Sequence, residues 1–286
     1  MTTEPQIITR SAEEKDHSQL ANLIHFETFV HRHLDWRPPL DWIGYHPYIV
    51  AIQNNQIIAT LACPPDPPGV TWIRVFASSA KISPSDAWDL LWSQAETYLI
   101  KAGTTSIAAI PLQKKFRQLL EKKSFQRIHN VIVFAWDNIT TNLPAAKPIN
   151  IRQMREDELA VIQEIDENAF GPIWRNSLDS ITLAFNKAIL ATVAEDQSGL
   201  LGYQISTPSP YGAHLARLAV RPNVQHQGVG YALTRHLQDT LGESQQPTRI
   251  SVNTQDYNLA SIALYKKAGF TQTDESYPVF LYDFGD

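Results

Sequence analysis

Read for hydrophobic period, the 286-residue chain runs through one succession of elements twice. In the first half, strand-like runs fall at Ile7–Arg10, Tyr48–Ile52, Ile57–Ala62 and Thr71–Phe76. An amphipathic helix is predicted over Pro84–Ile100, with Trp88, Leu91, Trp92, Ala95, Tyr98 and Leu99 on one face. Ser83 caps it, Pro84 takes the first helical position, and Gly103 suits the exit. A strand at Ser106–Ile110, a helix at Lys114–Lys123 and a strand at Val131–Trp136 follow. The second half repeats this order: strands at Ile149–Arg152, Leu190–Ala194, Leu200–Ser206 and Leu215–Val220, a helix at Val229–Leu241, a strand at Arg249–Asn253, a helix at Leu259–Ala268 and a strand at Val279–Phe284. The ends of the last helices also match, Leu120-Glu121-Lys122-Lys123-Ser124-Phe125 against Leu264-Tyr265-Lys266-Lys267-Ala268-Gly269-Phe270. Duplication explains this order, and the fold class is α/β: two tandem units, each a mixed, mostly antiparallel twisted sheet flanked by helices.

Residues 140–148 hold two prolines and no helical or strand period, so they read as a linker between domains 1–139 and 149–286. The parts differ in charge, +1 for residues 1–148 against −6 for the remainder, and six of the seven tryptophans lie in the first. With a net charge of −5 and no clustered basic face, nucleic acid is not an expected partner. One cysteine, Cys63, excludes an internal disulfide framework or a Cys-rich zinc site. No apolar run reaches the roughly 20 residues that span a bilayer, and the first residues lack the pattern of a signal peptide. The expectation is a cytoplasmic protein without membrane contact or metal, its oligomeric state open.

Two clusters carry chemistry. In the first, the strand Leu215–Val220 runs through Arg221-Pro222-Asn223-Val224 into Gln225-His226-Gln227-Gly228-Val229-Gly230, where a helix opens. A helix N-terminus leaves backbone N–H groups unpaired and favours an anion, and Gly228 and Gly230 remove side chains that would hold a phosphate away. A tight strand–helix turn that needs glycine only for its shape accounts for them equally. The run carries neither GxxxxGK[ST] nor the third glycine of a dinucleotide fingerprint. The second cluster is Asn258 to Phe270. Asn258 serves as a helix cap, Gly269 as a helix exit and Phe270 as its apolar closure, which leaves Tyr265 as packing or chemistry.

Together the clusters resemble the general N-acetyltransferase (GNAT) superfamily. Gln225-x-x-Gly228-x-Gly230 matches its [QR]xxGx[GA] acetyl-CoA motif, and Asn258, Ala260, Leu264-Tyr265 and Gly269-Phe270 match its second signature. The resemblance spans 149–286, which looks most like the peptide N-terminal alanine acetyltransferases, echoed in Phe170-Gly171-Pro172-Ile173-Trp174. It implies an acetyl-CoA-dependent N-acetyltransferase that moves the acetyl group directly to a primary amine, a small molecule or a peptide N-terminus. Backbone groups of Leu218, Ala219 and Val220 would pair with the pantetheine arm, with the Val220 N–H on the thioester carbonyl. Gln225 belongs to the cofactor motif, and the backbone of His226, Gln227, Gly228, Val229, Gly230 and Tyr231 would hold the pyrophosphate. Asn258 would contact the cofactor, and Tyr265 would protonate the leaving thiolate. Where the alanine-acetyltransferase group has a glutamate base, this chain has Asn253, so the base is open among water, His214, Glu164 and Glu167. The competing expectation is a non-catalytic acyl-CoA-binding or scaffold protein.

The first half resembles a degenerate unit of the same superfamily. Its strand–helix turn, Ala77 to Ser83, has no glycine, Pro84 removes an N–H, Asp86 adds negative charge, and Glu121 falls at the place of Tyr265. No acetyl-CoA binding is expected there. The His31–Trp42 stretch reads first as an ordered loop packed on a small core, ahead of a metal site or a docking surface.

Overall fold

The computed structural model describes residues 6–137, 143–242 and 249–285. Its elements, in chain order, are β1 (Ile8–Ser11), α1 (His17–Phe26), β2 (Phe29–Arg32), β3 (Tyr48–Gln53), β4 (Gln56–Ala62), β5 (Val75–Ser78), α2 (Pro84–Lys101), β6 (Ser106–Ala109), α3 (Lys114–Lys122) and β7 (Gln126–Trp136). There follow β8 (Asn150–Gln153), α4 (Leu159–Ala169), α5 (Leu178–Asn186), β9 (Leu190–Asp196), β10 (Gly199–Ser209), β11 (Gly212–Val220), α6 (Val229–Gly242), β12 (Arg249–Gln255), α7 (Leu259–Lys267) and β13 (Thr271–Asp283).

The chain forms two compact units, one of residues 1–128 with 278–286 and one of 129–277. This division does not follow the expected cut at 140–148, of which 140–142 lie outside the described residues. The difference has a simple source. Val131–Trp136 of β7 pairs with β12 in unit 2, whereas Phe280–Asp283 of β13 pairs with β6 in unit 1. A strand binds whichever edge offers unpaired backbone groups, and reading along the sequence attaches it instead to the helix before it.

The duplication is visible in details that hydrophobic period does not show. In unit 1, Arg10 on β1 reaches Asp16 with contacts of 2.6 and 2.8 Å, and Asp16 also accepts from the Glu13 N–H at 2.8 Å. In unit 2, Arg152 on β8 reaches Glu158 at 2.9 and 2.6 Å, and Glu158 accepts from the Arg155 N–H at 2.9 Å. Each unit thus ties its first strand to its first helix by an arginine and an acid six residues later.

Unit 1 orders its sheet β1-β3-β4-β5-β2. One face packs on α2 and α3 through Trp88, Leu91, Phe116 and Leu120, and the other on α1 through Leu20 and Ile24. The lead into β5 starts parallel to β6: the Ile73 N–H donates to Ala108 at 2.9 Å and the Ala108 N–H to Thr71 at 2.9 Å. Beyond that point β2 takes the place beside β5, with Phe29, Val30, His31 and Arg32 opposite Ser78, Ala77, Phe76 and Val75. The expected loop over 31–42 therefore begins with a strand. Its histidines are engaged: His31 Nε2 lies 3.1 Å from the Ile73 carbonyl, and its ring stacks on Phe116 at 4.3 Å. His33 stacks on Trp72 at 4.9 Å, and Asp35 pairs with Arg74 at 2.8 Å. Trp42 is 1% exposed, in the core.

Unit 2 runs β7-β12-β11-β10-β9-β8. One face carries α6 and α7 over Phe134, Leu215, Ile250 and Val252, and the other carries α4 and α5.

Candidate active site

The two parallel strands at the centre of unit 2 part company. β11 pairs with β12 from Gly212↔Arg249 to Leu215↔Val252 and no further. β10 stays with β11 to the end, Gly202 opposite Val220. Among the described residues, the edge of Ala216–Val220 turned toward β12 has no strand partner. A bulge lies at the fork. Ile205 pairs with Arg217 and Ser206 with Leu215, so Ala216 is the extra residue. It resets the alternation: Leu215 and Leu218 both reach the α6/α7 side, while Arg217 comes onto the same face as His214.

Past the fork the strand enters the glycine turn. Gln225 Nε2 donates to the Val220 carbonyl at 3.1 Å, fixing the strand end to the turn. His226 has φ +59° and Gly228 φ +99°, and α6 begins at the next residue. Gly228 is required by that left-handed backbone, its carbonyl accepting the Ala232 N–H at 2.9 Å as the first helical bond. The N–H groups of Val229, Gly230 and Tyr231 have no intrahelical acceptor. Gly230 is closely surrounded: a Cβ there would meet Leu264 Cδ2 at 3.3 Å, a tight contact with a side-chain methyl, and Val220 Cγ2 at 3.6 Å, which leaves room for a small residue and no larger one. So the expected cofactor residues Leu218, Ala219, Val220 and Gln225 to Tyr231 form one continuous feature against α7. Tyr231 is otherwise engaged at its side chain, its hydroxyl donating to the Pro144 carbonyl at 2.6 Å.

Tyr265 is buried on α7, its ring 6.1 Å from Phe134 and 5.7 Å from Phe270. Burial pushes its phenol up, with the Arg217 charge opposing, so it holds its proton at neutral pH. Asn258 caps α7, its Oδ1 accepting from the Ser261 N–H at 3.1 Å. Seven residues of helix, about 10 Å, separate it from Tyr265. The α7 exit also corrects the internal alignment. Gly269 at φ +80° corresponds to Ser124 at φ +66°, and the bond from Phe270 N–H to Tyr265 corresponds to that from Phe125 N–H to Leu120. Leu120, fully buried, therefore holds the place of Tyr265 in unit 1, not Glu121, and it has no hydroxyl.

Of the candidate bases, Glu164 is ion-paired with Arg221 at 2.8 Å and Glu167 lies 3.9 Å from Arg175, both more than half exposed. Asn253 is exposed on β12. His214 stands on β11 beside the fork, Nδ1 at 2.9 Å from Ser251 Oγ.

A buried polar group that sequence reasoning passed over holds this face together. Asp166 of α4 is 0% exposed and accepts from Arg217 at 2.6 and 2.8 Å, from the Tyr203 hydroxyl at 2.6 Å and from the Asn176 N–H at 3.0 Å. Arg217 also donates to the Trp174 carbonyl at 2.6 Å and lies 3.5 Å over the Phe170 ring. One ion pair thus ties β11 to the Phe170–Asn176 segment. The available signal was an acid on the apolar stripe of a helix, next to Ile165 and one turn beyond the buried Ile162.

Comparison with known proteins agrees with this arrangement. Residues 158–270 match the model described as the acetyltransferase (GNAT) family. Residues 158–270, within unit 2, belong to that family. A curated relative, the peptidyl-lysine N-acetyltransferase YjaB of Salmonella typhimurium, is 28% identical over 144 residues, covering 45% of this chain and 87% of the relative. Two solved structures share the whole fold. A GCN5-related N-acetyltransferase from Sphaerobacter thermophilus has a TM-score of 0.60 at 14% identity over 98% of this chain and 97% of its own. A tandem GNAT protein from the clavulanic acid biosynthesis pathway has a TM-score of 0.60 at 12% identity over 99% of both chains. The two units are accordingly tandem GNAT-like domains, with the family match in the second.

Proposed function

We propose that the chain is an N-acetyltransferase that moves the acetyl group of acetyl-CoA directly onto a primary amine, and that unit 2 alone does so. The observation that carries this reading is the unpartnered edge of Ala216–Val220 leading into the glycine turn, set against the same position in unit 1, where β2 already lies along β5. An extended pantetheine arm needs free backbone groups, and of these two positions the unit 2 edge offers them among the described residues. Leu218 and Val220 would pair with the arm, with the Val220 N–H stabilising the oxyanion of the thioester carbonyl, while Ala219 between them turns its backbone groups to Tyr203 on β10. The Gln225–Tyr231 turn, with its left-handed Gly228 and bare Gly230, would receive the pyrophosphate. Asn258 would contact the cofactor beyond its capping role, and Tyr265 would protonate the departing thiolate.

The acceptor is a small amine, a peptide N-terminus or a lysine side chain, the last suggested by what the Salmonella relative acts on. No metal takes part in this scheme. A binding-only reading is favoured by one observation, Asn253 where a family glutamate would stand. The test is thiol release from acetyl-CoA with a panel of primary amines, with mass spectrometry of the product. Acetylated amine supports the enzyme; bound acetyl-CoA with no transfer to any amine supports the binding-only reading.

A further inference from the structure

Resting on that proposed reaction, we infer that His214, oriented by Ser251, is the general base that takes the amine proton. His214↔Ser251 and Leu215↔Val252 are the last pairs before β11 and β12 separate, so the imidazole stands at the apex of the opening. Ala213 and Leu215 point to the α6/α7 core, which sends His214 to the other face. On β12 the alternation gives that face Ser251 and Asn253, the position that lacks the carboxylate. The imidazole and the vacant acid position are therefore neighbours on one surface, across the sheet from Tyr265. An acid and a base on opposite sides of a reacting thioester is the placement that direct transfer requires, since one proton must leave the amine while another reaches sulfur.

The ring is held for this task. A proton on Nδ1 donated to Ser251 Oγ at 2.9 Å leaves Nε2 with its lone pair, and Nε2 forms no hydrogen bond among the described residues. Burial lowers the imidazole below its usual value, with a hydrogen bond to the Ser251 backbone opposing, so it is neutral at pH 7. The charged and titratable groups around this face include the Arg217–Asp166 pair, Glu164 with Arg221, Glu167 with Arg175, Asp179 and Lys187 at the two ends of α5, Arg249 of β12 with Asp137 at 3.4 Å, and His129 of β7, its ring 5.7 Å from Trp174. On β10 the residue opposite His214 is the uncharged Thr207.

The step balances. The amine nitrogen attacks the thioester carbonyl, the C–N bond forms and the amine proton passes to His214 Nε2. The C–S bond breaks with its electron pair on sulfur, which takes the Tyr265 proton. Solvent then removes the proton from His214 and returns one to Tyr265.

The test uses the full chain, acetyl-CoA, and two peptides, one starting with alanine and one with a blocked N-terminus and an internal lysine. With whichever peptide the wild type acetylates, log(kcat/KM) rises with a slope of two below the imidazole pKa, because imidazole and amine must both lose a proton. His214→Gln lowers kcat about 10²-fold and reduces that slope to one, with acetyl-CoA affinity by calorimetry unchanged. Ser251→Ala lowers kcat less and Ser251→Thr restores it, as expected for a positioning residue. A His214→Gln enzyme that binds acetyl-CoA and keeps the wild-type profile overturns the assignment while leaving the reaction standing. Should His214→Gln not fold, Ser251→Ala with an unaltered profile overturns it equally. A wild type that acetylates neither peptide nor any small amine removes the proposed reaction, and this inference with it.

Discussion

Removal of the Asp166 carboxylate should cost unit 2 more than any surface change, and the geometry sets how much. Asp166→Ala takes from the Arg217 guanidinium, whose side chain is 12% exposed, its carboxylate partner and leaves it with neutral groups, the Trp174 carbonyl, the Phe170 face, the Tyr203 hydroxyl and the Asn176 amide. It also strips the buried Tyr203 hydroxyl and the Asn176 N–H of their acceptor. Breaking one side of a buried pair costs about 3–5 kcal/mol, because a desolvated charge stays behind. For a unit of this size each kcal/mol moves the midpoint by about 2–4 °C, so the fall is roughly 6–20 °C. The assay is thermal unfolding followed by near-UV circular dichroism, with acetyl-CoA titration beside it. Arg217→Met alone should also destabilise, but Asp166→Ala combined with Arg217→Met should recover part of the loss, since no uncompensated charge remains. Simple addition of the two single losses, or a midpoint shift for Asp166→Ala below about 2 °C, would refute the reasoning.

Other expectations follow from the same geometry. Tyr265→Phe should lower turnover by about 10²-fold while leaving acetyl-CoA affinity within about threefold, as calorimetry and steady-state rates will show; equal turnover removes the acid. Gly228→Val forces a β-branched residue into φ +99°, and acetyl-CoA affinity should fall by at least about tenfold with a stability loss of about 1–2 kcal/mol. Asp16 and Glu158 are each held below their usual values, first by the hydrogen bonds from Arg10 and Arg152. Their stabilisation is therefore present above the ordinary values of 3.8 and 4.5 and lost as pH falls through the lowered ones. Urea midpoints measured from pH 7 down to pH 2 should drop across that window, and Glu158→Gln should flatten part of the drop.

Much of this molecule is legible in its sequence, for reasons that differ by region. The long amphipathic α2 declares itself because period and capping agree, and β3, β4 and β10 do so through their buried apolar runs. The glycine turn is legible because Gly228 answers a local backbone demand, its positive φ, and Gly230 sits where only a small residue fits against Leu264 and Val220. β2 is hidden because Phe29-Val30-His31-Arg32 is four residues long, ends in polar side chains and is a strand only by virtue of the edge beside β5. The same logic sends the ends of β7 and β13 to unit memberships that no local pattern encodes. Matching Glu121 to Tyr265 slips by one residue because Ser124 does the work of Gly269 without being a glycine. The Asp166–Arg217 pair joins residues 51 apart, a distance at which pattern gives no pairing.

The proposal that unit 2 alone takes acetyl-CoA is tested most directly by calorimetric titration of the full chain with acetyl-CoA, read for stoichiometry. One equivalent per chain, abolished by Gly228→Val and untouched by changes in the Ala77–Ser83 turn, is the predicted result. Two equivalents would show that β2 yields to the cofactor in unit 1, and no binding would contradict the account at its base.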